Sequence, residues 1–433
     1  MILIVLDAVR TDHVSVFNNE VETTPNLVDL AADGTTYQNA ISAAPWTAPS
    51  HASLFTGKLP SEHRVFARQP ELKKIHPTLA DVLVDHGYTT LGFSNSYHTS
   101  SRRGFDRGFE YYHDILELPN IWGKMVEPSR SYLRFFWKYF SRDYDISYFQ
   151  LDKLKSKIKA TDEPFFAFIN LNSAHSPYNP PREFRDRFEH AFDSWDKVDL
   201  ETARSLSDRD GYKYVMGDLE AGPLEWDLVK HWYDAEIAYM DALLGDFFNR
   251  LQQIDIYDNS MIVVTSDHGE HFGEYGLAYH QFSLFDELLH VPLVVKWPET
   301  RDKARSDELV SLIDIAPTML GAANIDVPTK MQGRDLQSDP EPDQVFAEYD
   351  RPYPPLQDRM REQFGTAFDP FDRGLQAVRT KEYKFIQPSQ GEPQLYEISD
   401  EGEQPINNEK LQDQFQEVLS EKLEELPGGE YEE

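Results

Sequence analysis

The chain has 433 residues, with 75 aspartates and glutamates against 42 lysines and arginines, a formal charge of −33, and no cysteine. A surface this negative repels nucleic acid and anionic lipid, and the missing cysteines exclude disulfides, thiolate metal sites and a cysteine nucleophile. No stretch approaches the ~18 consecutive apolar residues of a membrane span. The acidity is spread along the chain, the pattern expected of a protein kept soluble at high salt, where self-repulsion is screened; this predicts halophilic adaptation of the haloarchaeal kind. The opening ILIVL is too short for a signal-peptide core and lacks a basic leader, which predicts a cytoplasmic protein.

In chain order, ILIVLD is an apolar run ending in an acid, as in a buried parallel strand with a functional carboxylate at its tip. TTPNLVDLAADGTTY reads as a helix stopped by glycine, and HPTLADVLVDHGYTTLGFSN as a helix, a glycine and a strand. Residues 113–225 are the least regular part, and the aromatic stretch IWGKMVEPSRSYLRFFWKYFSRDYDISYF within them reads as a helical insertion near the sheet edge, packing its rings on the core. EPFFAFINLN is a buried strand. EWDLVKHWYDAEIAYMDALLGDFFNRLQQI has helical spacing, and SMIVVTSDHGE follows it as a strand with an acid and a histidine at its end. HVPLVVKWP reads as a strand and SLIDIAPTMLGAA as a helix. Beyond about residue 340, GLQAVRTKEYKFIQ and PQLYEISDEGEQPIN read as short antiparallel strands before a final charged helix. Alternating strands and helices predict an α/β fold: a mostly parallel central sheet sandwiched by helices, over 1–340, with a small C-terminal antiparallel subdomain over 341–433. Ligands gather at the carboxyl ends of such strands, where Asp7 and Asp267 both fall.

In PWTAPSHASLFTG, residues 45–57, Thr47 and Pro49 stand at the mouth of a short apolar helix. Both are ordinary helix-start residues, Thr47 as an N-cap, and Thr47 is also a possible nucleophile held against a metal. Asp267 and His268 follow a strand directly, and Gly269 after them permits a tight turn. The dipeptide alone reads as a surface turn. With Asp7 and Thr47 it supplies three oxygen donors and one imidazole, a set suited to one divalent cation; manganese, zinc or magnesium fits better than calcium, which favours oxygen alone. Asp12 and His13 read as helix-start and surface residues, and Arg10 as half of a structural salt bridge.

LIVLDAVRTDH, PWTAPSHASLFTG, NSAHSPYNPP, SDHGEHFGE, HQFSLFDELLHVPLVV, SLIDIAPTMLG and VRTKEYKFI, in this order, resemble the sulfatase family of the alkaline phosphatase superfamily over nearly the whole chain. The resemblance implies an α/β sandwich with a smaller C-terminal sheet and metal-dependent hydrolysis or transfer at sulfate or phosphate esters. It implies metal ligation by Asp7, Thr47, Asp267 and His268, with Thr47 where relatives carry a cysteine or serine matured to formylglycine. Pro49, Ser50, Thr56 and Gly57 match the same signature. His175 and His280 fall where relatives contact the transferred group.

The departures carry chemistry. Ala8 replaces a second acid common in relatives, and His51 replaces an arginine. The Lys-x-His element is missing, with Asn95 or His98 the nearest stand-ins, and Asp286 with His280 makes a poor second metal set. Threonine does not mature to formylglycine, so elimination of sulfate from a geminal diol is closed; a phosphorylated threonine, by contrast, is open to renewed attack by water or an alcohol. The donor set thus resembles phosphoglycerol transferases and nucleotide phosphodiesterases more than typical sulfatases. The expectation is a phosphoester hydrolase or transferase with one divalent cation and no formylglycine, acting on a small-molecule, glycan or lipid-linked ester. A sulfuric ester hydrolase without formylglycine and a non-catalytic binder of anionic saccharides are the alternatives.

Overall fold

β1 (Ile2–Leu6) is buried along its whole length, and its side chains alternate between two apolar layers: Leu3 and Val5 join one, Ile2, Ile4 and Leu6 the other. A strand covered on both faces needs neighbours on both edges and helices above and below. This computed structural model describes residues 1–114, 146–208, 210–299, 303–399 and 402–424. The further strands of the main sheet are β2 (Thr35–Ile41), β3 (Thr89–Ser94), β4 (Tyr111–Asp114), β5 (Phe165–Leu171) and β6 (Ile262–Thr265). After a short hairpin of β7 (His271–Phe272) and β8 (Ala278–Tyr279) come β9 (Leu293–Lys296) and β10 (Ala304–Ser311). Their order is β10-β2-β9-β6-β1-β5-β3-β4, parallel throughout except at β9, which runs against β2 and β6.

One face packs on helices Thr47–Thr56 and Ile315–Ala322, the other on Pro25–Ala32, Ile146–Lys159 and the long helix Pro223–Gln253. A second sheet holds β11 (Val345–Tyr349), β12 (Leu375–Arg379), β13 (Tyr383–Pro388), β14 (Gln394–Ser399) and β15 (Gly402–Pro405), antiparallel and in sequence order. Ala347, Tyr349, Leu375, Ala377 and Ile386 on its inner face belong to the same apolar cluster as Leu3 and Val5. Its outer face, with Val378, Phe385 and Leu395, is covered by Phe415 and Leu419 of helix Glu409–Glu424.

The α/β architecture expected from the alternation of elements is the one observed, as is the antiparallel C-terminal sheet. Most of the aromatic insertion lies outside the described residues; its end opens helix Ile146–Lys159. The surface expectation for His13 needs correction. Its ring is buried, with Nδ1 2.6 Å from Asp234 Oδ1 and an edge contact to Tyr233, partners contributed by a helix more than 200 residues later. Asp12 does remain exposed, and Arg10 pairs with it and with Glu274, a structural salt bridge as expected. Among the described residues, no helix is long and apolar enough to cross a membrane.

Candidate active site

Val5 lies opposite Thr265 in the parallel pairing of β1 with β6, so Asp7 and Asp267 leave adjacent strands at the same edge. The turn after Asp7 is built to keep it there. Ala8 adopts a left-handed backbone with φ of 64°, a conformation a small residue tolerates better than a branched one. Its N–H donates to Asp267 Oδ1 at 3.1 Å, and its carbonyl accepts from the Tyr233 hydroxyl at 2.8 Å. Ser266 bridges the strand ends: Oγ lies 2.5 Å from the Leu6 carbonyl and accepts the Val9 N–H at 2.9 Å. The Ser42 and Ser50 hydroxyls both donate to the Asp267 carbonyl, at 2.6 and 2.7 Å.

Asp7, Asp267 and His268 are buried, and their potential ligand atoms all lie within 4.8 Å of one another. Asp7 Oδ1 and Asp267 Oδ2 accept no hydrogen bond. They sit 3.8 and 3.5 Å from His268 Nε2. His268 Nδ1 lies 2.8 Å from the Gly269 carbonyl, a contact that requires the proton on Nδ1 and leaves the Nε2 lone pair turned to the carboxylates. Burial, then the neighbouring Asp267, pushes the Asp7 carboxyl up to about 6. Burial also pushes Asp267 up to about 7 and, with His280 nearby, takes His268 down to about 3. Two buried oxygens with no donor and an imidazole with a fixed lone pair are the donor set a divalent cation takes, and they fit one.

Trp46, rather than Thr47, holds the N-cap position of helix Thr47–Thr56 and makes no side-chain cap; Thr47 is the first helical residue. Its hydroxyl is therefore not spent on capping, and Oγ1 lies 3.4 Å from His268 Nε2. One turn along, His51 Nδ1 donates to the Thr47 carbonyl at 2.9 Å. His51 is fully buried, and burial takes it down to about 3, so it stands as a neutral ring where the resemblance implied arginine.

Thr47 opens into a cleft of about 280 Å³ lined also by Trp46, His98, His175 and His280. The His280 ring lies 4.5 Å from that of His268 and 4.9 Å from that of His175, centre to centre. His280 Nδ1 is 3.0 Å from Glu270 Oε1, and His175 Nδ1 donates to the Ser176 carbonyl at 2.8 Å. Each contact leaves Nε2 as the free ring nitrogen. All six expected site residues thus converge: Asp7, Thr47, Asp267 and His268 at the strand ends, His175 and His280 beside them. Of the two stand-ins, His98 lines the cleft, whereas Asn95 bonds to the Ser147 hydroxyl. Asp286 turns away from His280, to Arg379 and Lys384.

Sequence reasoning missed Glu270, Asn170, Ser42, Ser266 and Tyr233. Asn170, on β5 beside β1, donates to Asp7 Oδ2 at 3.2 Å. Ser266 and Glu270 both stand inside SDHGEHFGE, and the position of Glu270 two residues past His268 was the available signal.

Residues 1–325 match the sulfatase family, and residues 273–428 match the family described as N-sulphoglucosamine sulphohydrolase, C-terminal. Arylsulfatase K of Bos taurus is 25% identical over 429 residues, spanning 93% of this chain and 76% of its own. The ulvan-active sulfatase of Formosa agariphila is likewise 25% identical, over 454 residues, with 93% and 76% spanned. Among solved structures, the phosphonate monoester hydrolase of Silicibacter pomeroyi superposes with a TM-score of 0.73 at 20% identity, over 97% of this chain and 93% of that one. A chain solved with its substrate D-glucosamine-2-N,6-O-disulfate gives a TM-score of 0.68 at 18% identity, over 100% and 99%. These neighbours share the fold, and members of the matched family hydrolyse esters. With its strand-end acids, its histidines and three quarters of its length matched, the chain belongs to the sulfatase family.

Proposed function

We propose that the chain is a metal-dependent hydrolase or transferase of phosphoesters in which Thr47 is the nucleophile. The observation that carries the reading is the Thr47 hydroxyl 3.4 Å from His268 Nε2, at the edge of a carboxylate pair with unsatisfied oxygens. Asp7, Asp267 and His268 would hold the cation, with Thr47 Oγ1 as the fourth donor; manganese, zinc or magnesium suits this mixed set better than calcium. When bound, such a cation supplies Lewis acidity, easing loss of the hydroxyl proton and drawing charge off the ester.

Thr47 Oγ1 attacks phosphorus in line, at the positive end of its own helix, which favours the anionic ester. The bond from Oγ1 to phosphorus forms, the bond from phosphorus to the departing alkoxide breaks, and the hydroxyl proton ends on that alkoxide. His175 and His280 bind the non-bridging oxygens or carry the proton, a contribution typically worth ~10²–10⁴ in rate. Burial and the nearby His175 hold His280 well below the ordinary imidazole range, so it rests neutral; an anionic ester beside it favours its protonation. Glu270, 3.0 Å from Nδ1, fixes the ring. Water or an acceptor alcohol then attacks the phosphothreonine and regenerates the hydroxyl.

A sulfuric ester hydrolase without formylglycine is the second reading, supported by relatives named arylsulfatase and ulvan-active sulfatase. Against it, a threonine sulfate has no second hydroxyl from which to eliminate. A third reading, a non-catalytic binder of anionic saccharides, is disfavoured by the unpaired buried carboxylates, which are costly to keep without a cation. The charge of −33 is read as adaptation to high salt, so assays belong in molar potassium chloride. The test is hydrolysis of para-nitrophenyl phosphate, bis-para-nitrophenyl phosphate and para-nitrophenyl sulfate, with and without manganese. Phosphoester turnover that needs manganese and vanishes in Thr47→Ala is expected. Turnover of sulfate alone overturns the phosphate preference, and anion binding without turnover overturns the enzyme.

A further inference from the structure

The cleft into which Thr47 opens is lined further by Tyr353, Leu356, Tyr212, Tyr279 and Gln281, and by Arg359, which is exposed at its mouth. Arg359 is the one guanidinium or ammonium group in this lining. Its Cζ stands 5.3 Å from the centre of the Tyr212 ring, a cation–π contact that holds a long side chain in place. Arg361, two residues on, pairs with Asp369 and Asp372. Arg359 forms no ion pair among the described residues, although Asp208 also lines the cleft.

The carrier helix Pro354–Phe364 is fixed relative to the candidate chemistry. Met360 is fully buried against Phe368 and Phe282, and Phe282 lies two residues after His280. The guanidinium is therefore presented to the same cleft as Thr47 by a packed element, with aromatic walls between the two.

From this we infer that Arg359 recognises a second anionic group, a carboxylate or a further phosphate, on the organic half of the ester. The inference rests on the phosphoester reading and names its substrate class: an ester whose departing alcohol is itself anionic. Such a substrate is repelled at long range by the chain's net charge, a repulsion that salt screens, while a charge-assisted contact at the mouth acts at short range. Tyr212, Tyr353 and Trp46 supply flat faces for a ring or carbon chain lying between the two anionic ends.

The test compares sorbitol 6-phosphate with 6-phosphogluconate, which has a carboxylate in place of the terminal alcohol, and with sorbitol 1,6-bisphosphate. Binding to manganese-loaded Thr47→Ala is read by calorimetry in molar potassium chloride, so that no turnover is needed. One or both doubly anionic ligands are expected to bind roughly tenfold more tightly than sorbitol 6-phosphate, the scale of hydrogen bonds to a charged group. Which of the two gains more identifies carboxylate or phosphate as the second group. Adding Arg359→Gln is expected to erase the preference, and Arg359→Lys to restore part of it. Equal binding of all three ligands, or a preference that survives Arg359→Gln, overturns the inference and leaves the phosphoester reading standing. Failure of all three to bind overturns both.

Discussion

Asp286, six residues past His280, is a half-buried carboxylate and Asp7 and Asp267 are fully buried ones, and the protein treats them differently. Asp286 receives two hydrogen bonds from Arg379 and an ion pair from Lys384, which also reaches Glu403 at 2.5 Å. Despite burial, Arg379 and Lys384 hold its carboxyl well below the usual range. Asp7 and Asp267 have no such cation beside them, each keeps an oxygen with no donor, and both are pushed up. A half-buried acid answered by arginine and lysine ties the C-terminal sheet to the loop that carries His280. A buried pair left unanswered is a candidate place for a charge from outside.

That contrast breaks first at the unanswered pair. Asp267→Asn should lower turnover on the order of 10³, because one charged ligand is lost from the centre that stabilises the transferring group. The same variant, treated with chelator, should melt no lower than the parent, since the amide keeps the oxygen that accepts from Ala8 and His268 and offers a donor to the unpaired Asp7 Oδ1. A marked drop in melting temperature would place Asp267 with the structural acids.

Lys384→Met should have the opposite signature. Removing the cation leaves Asp286 and Glu403 short of a partner, a change that costs about 3–5 kcal/mol in buried pairs and is read by denaturant unfolding. Manganese affinity, measured by calorimetry on the folded protein, should stay within a few-fold of the parent. Loss of metal binding without loss of stability would reverse the two assignments.

The smallest effect is on pH dependence, where the two clusters have opposite signs. Asp7 and Asp267 titrate near 6 and 7 when folded and near 4 when unfolded, so the metal-free native state binds more protons between those values. Their contribution therefore falls as pH rises from about 4 to 7. Asp286 is depressed, so its contribution is present above the unfolded value and is lost as pH falls below it. The rise in melting temperature produced by manganese should accordingly grow between pH 5 and 7.5, because only deprotonated carboxylates hold the ion. A manganese increment that is flat across this range would break the assignment of the pair as ligands.

What could be read from sequence was chemistry carried on regular elements. β1 and β6 are apolar runs that end one and two residues before an acid, and the parallel sheet puts such ends together, so Asp7 and Asp267 could be paired without coordinates. Among the strands that escaped notice are two with polar stretches, TTYQNAI of β2 and ARSDELVS of β10, the latter with an irregular register between Ser306 and Leu309. Ser42, Ser266 and Tyr233 also escaped. Each acts by a single hydroxyl on a distant backbone carbonyl, and such a bond leaves no periodicity or spacing behind. His13 was misplaced for the same reason, its partner Asp234 lying 221 positions away.

The inner face of the C-terminal sheet shares its apolar cluster with the central sheet, and this has a practical consequence. Trimming the polypeptide near residue 340 would strip cover from Leu3 and Val5's side of the sandwich and remove the basic partners of Asp286. The shortened product should be sticky and poorly folded rather than a minimal enzyme. Engineering that seeks a smaller catalyst has more freedom at the mouth, where Arg359 can be exchanged without opening the interior.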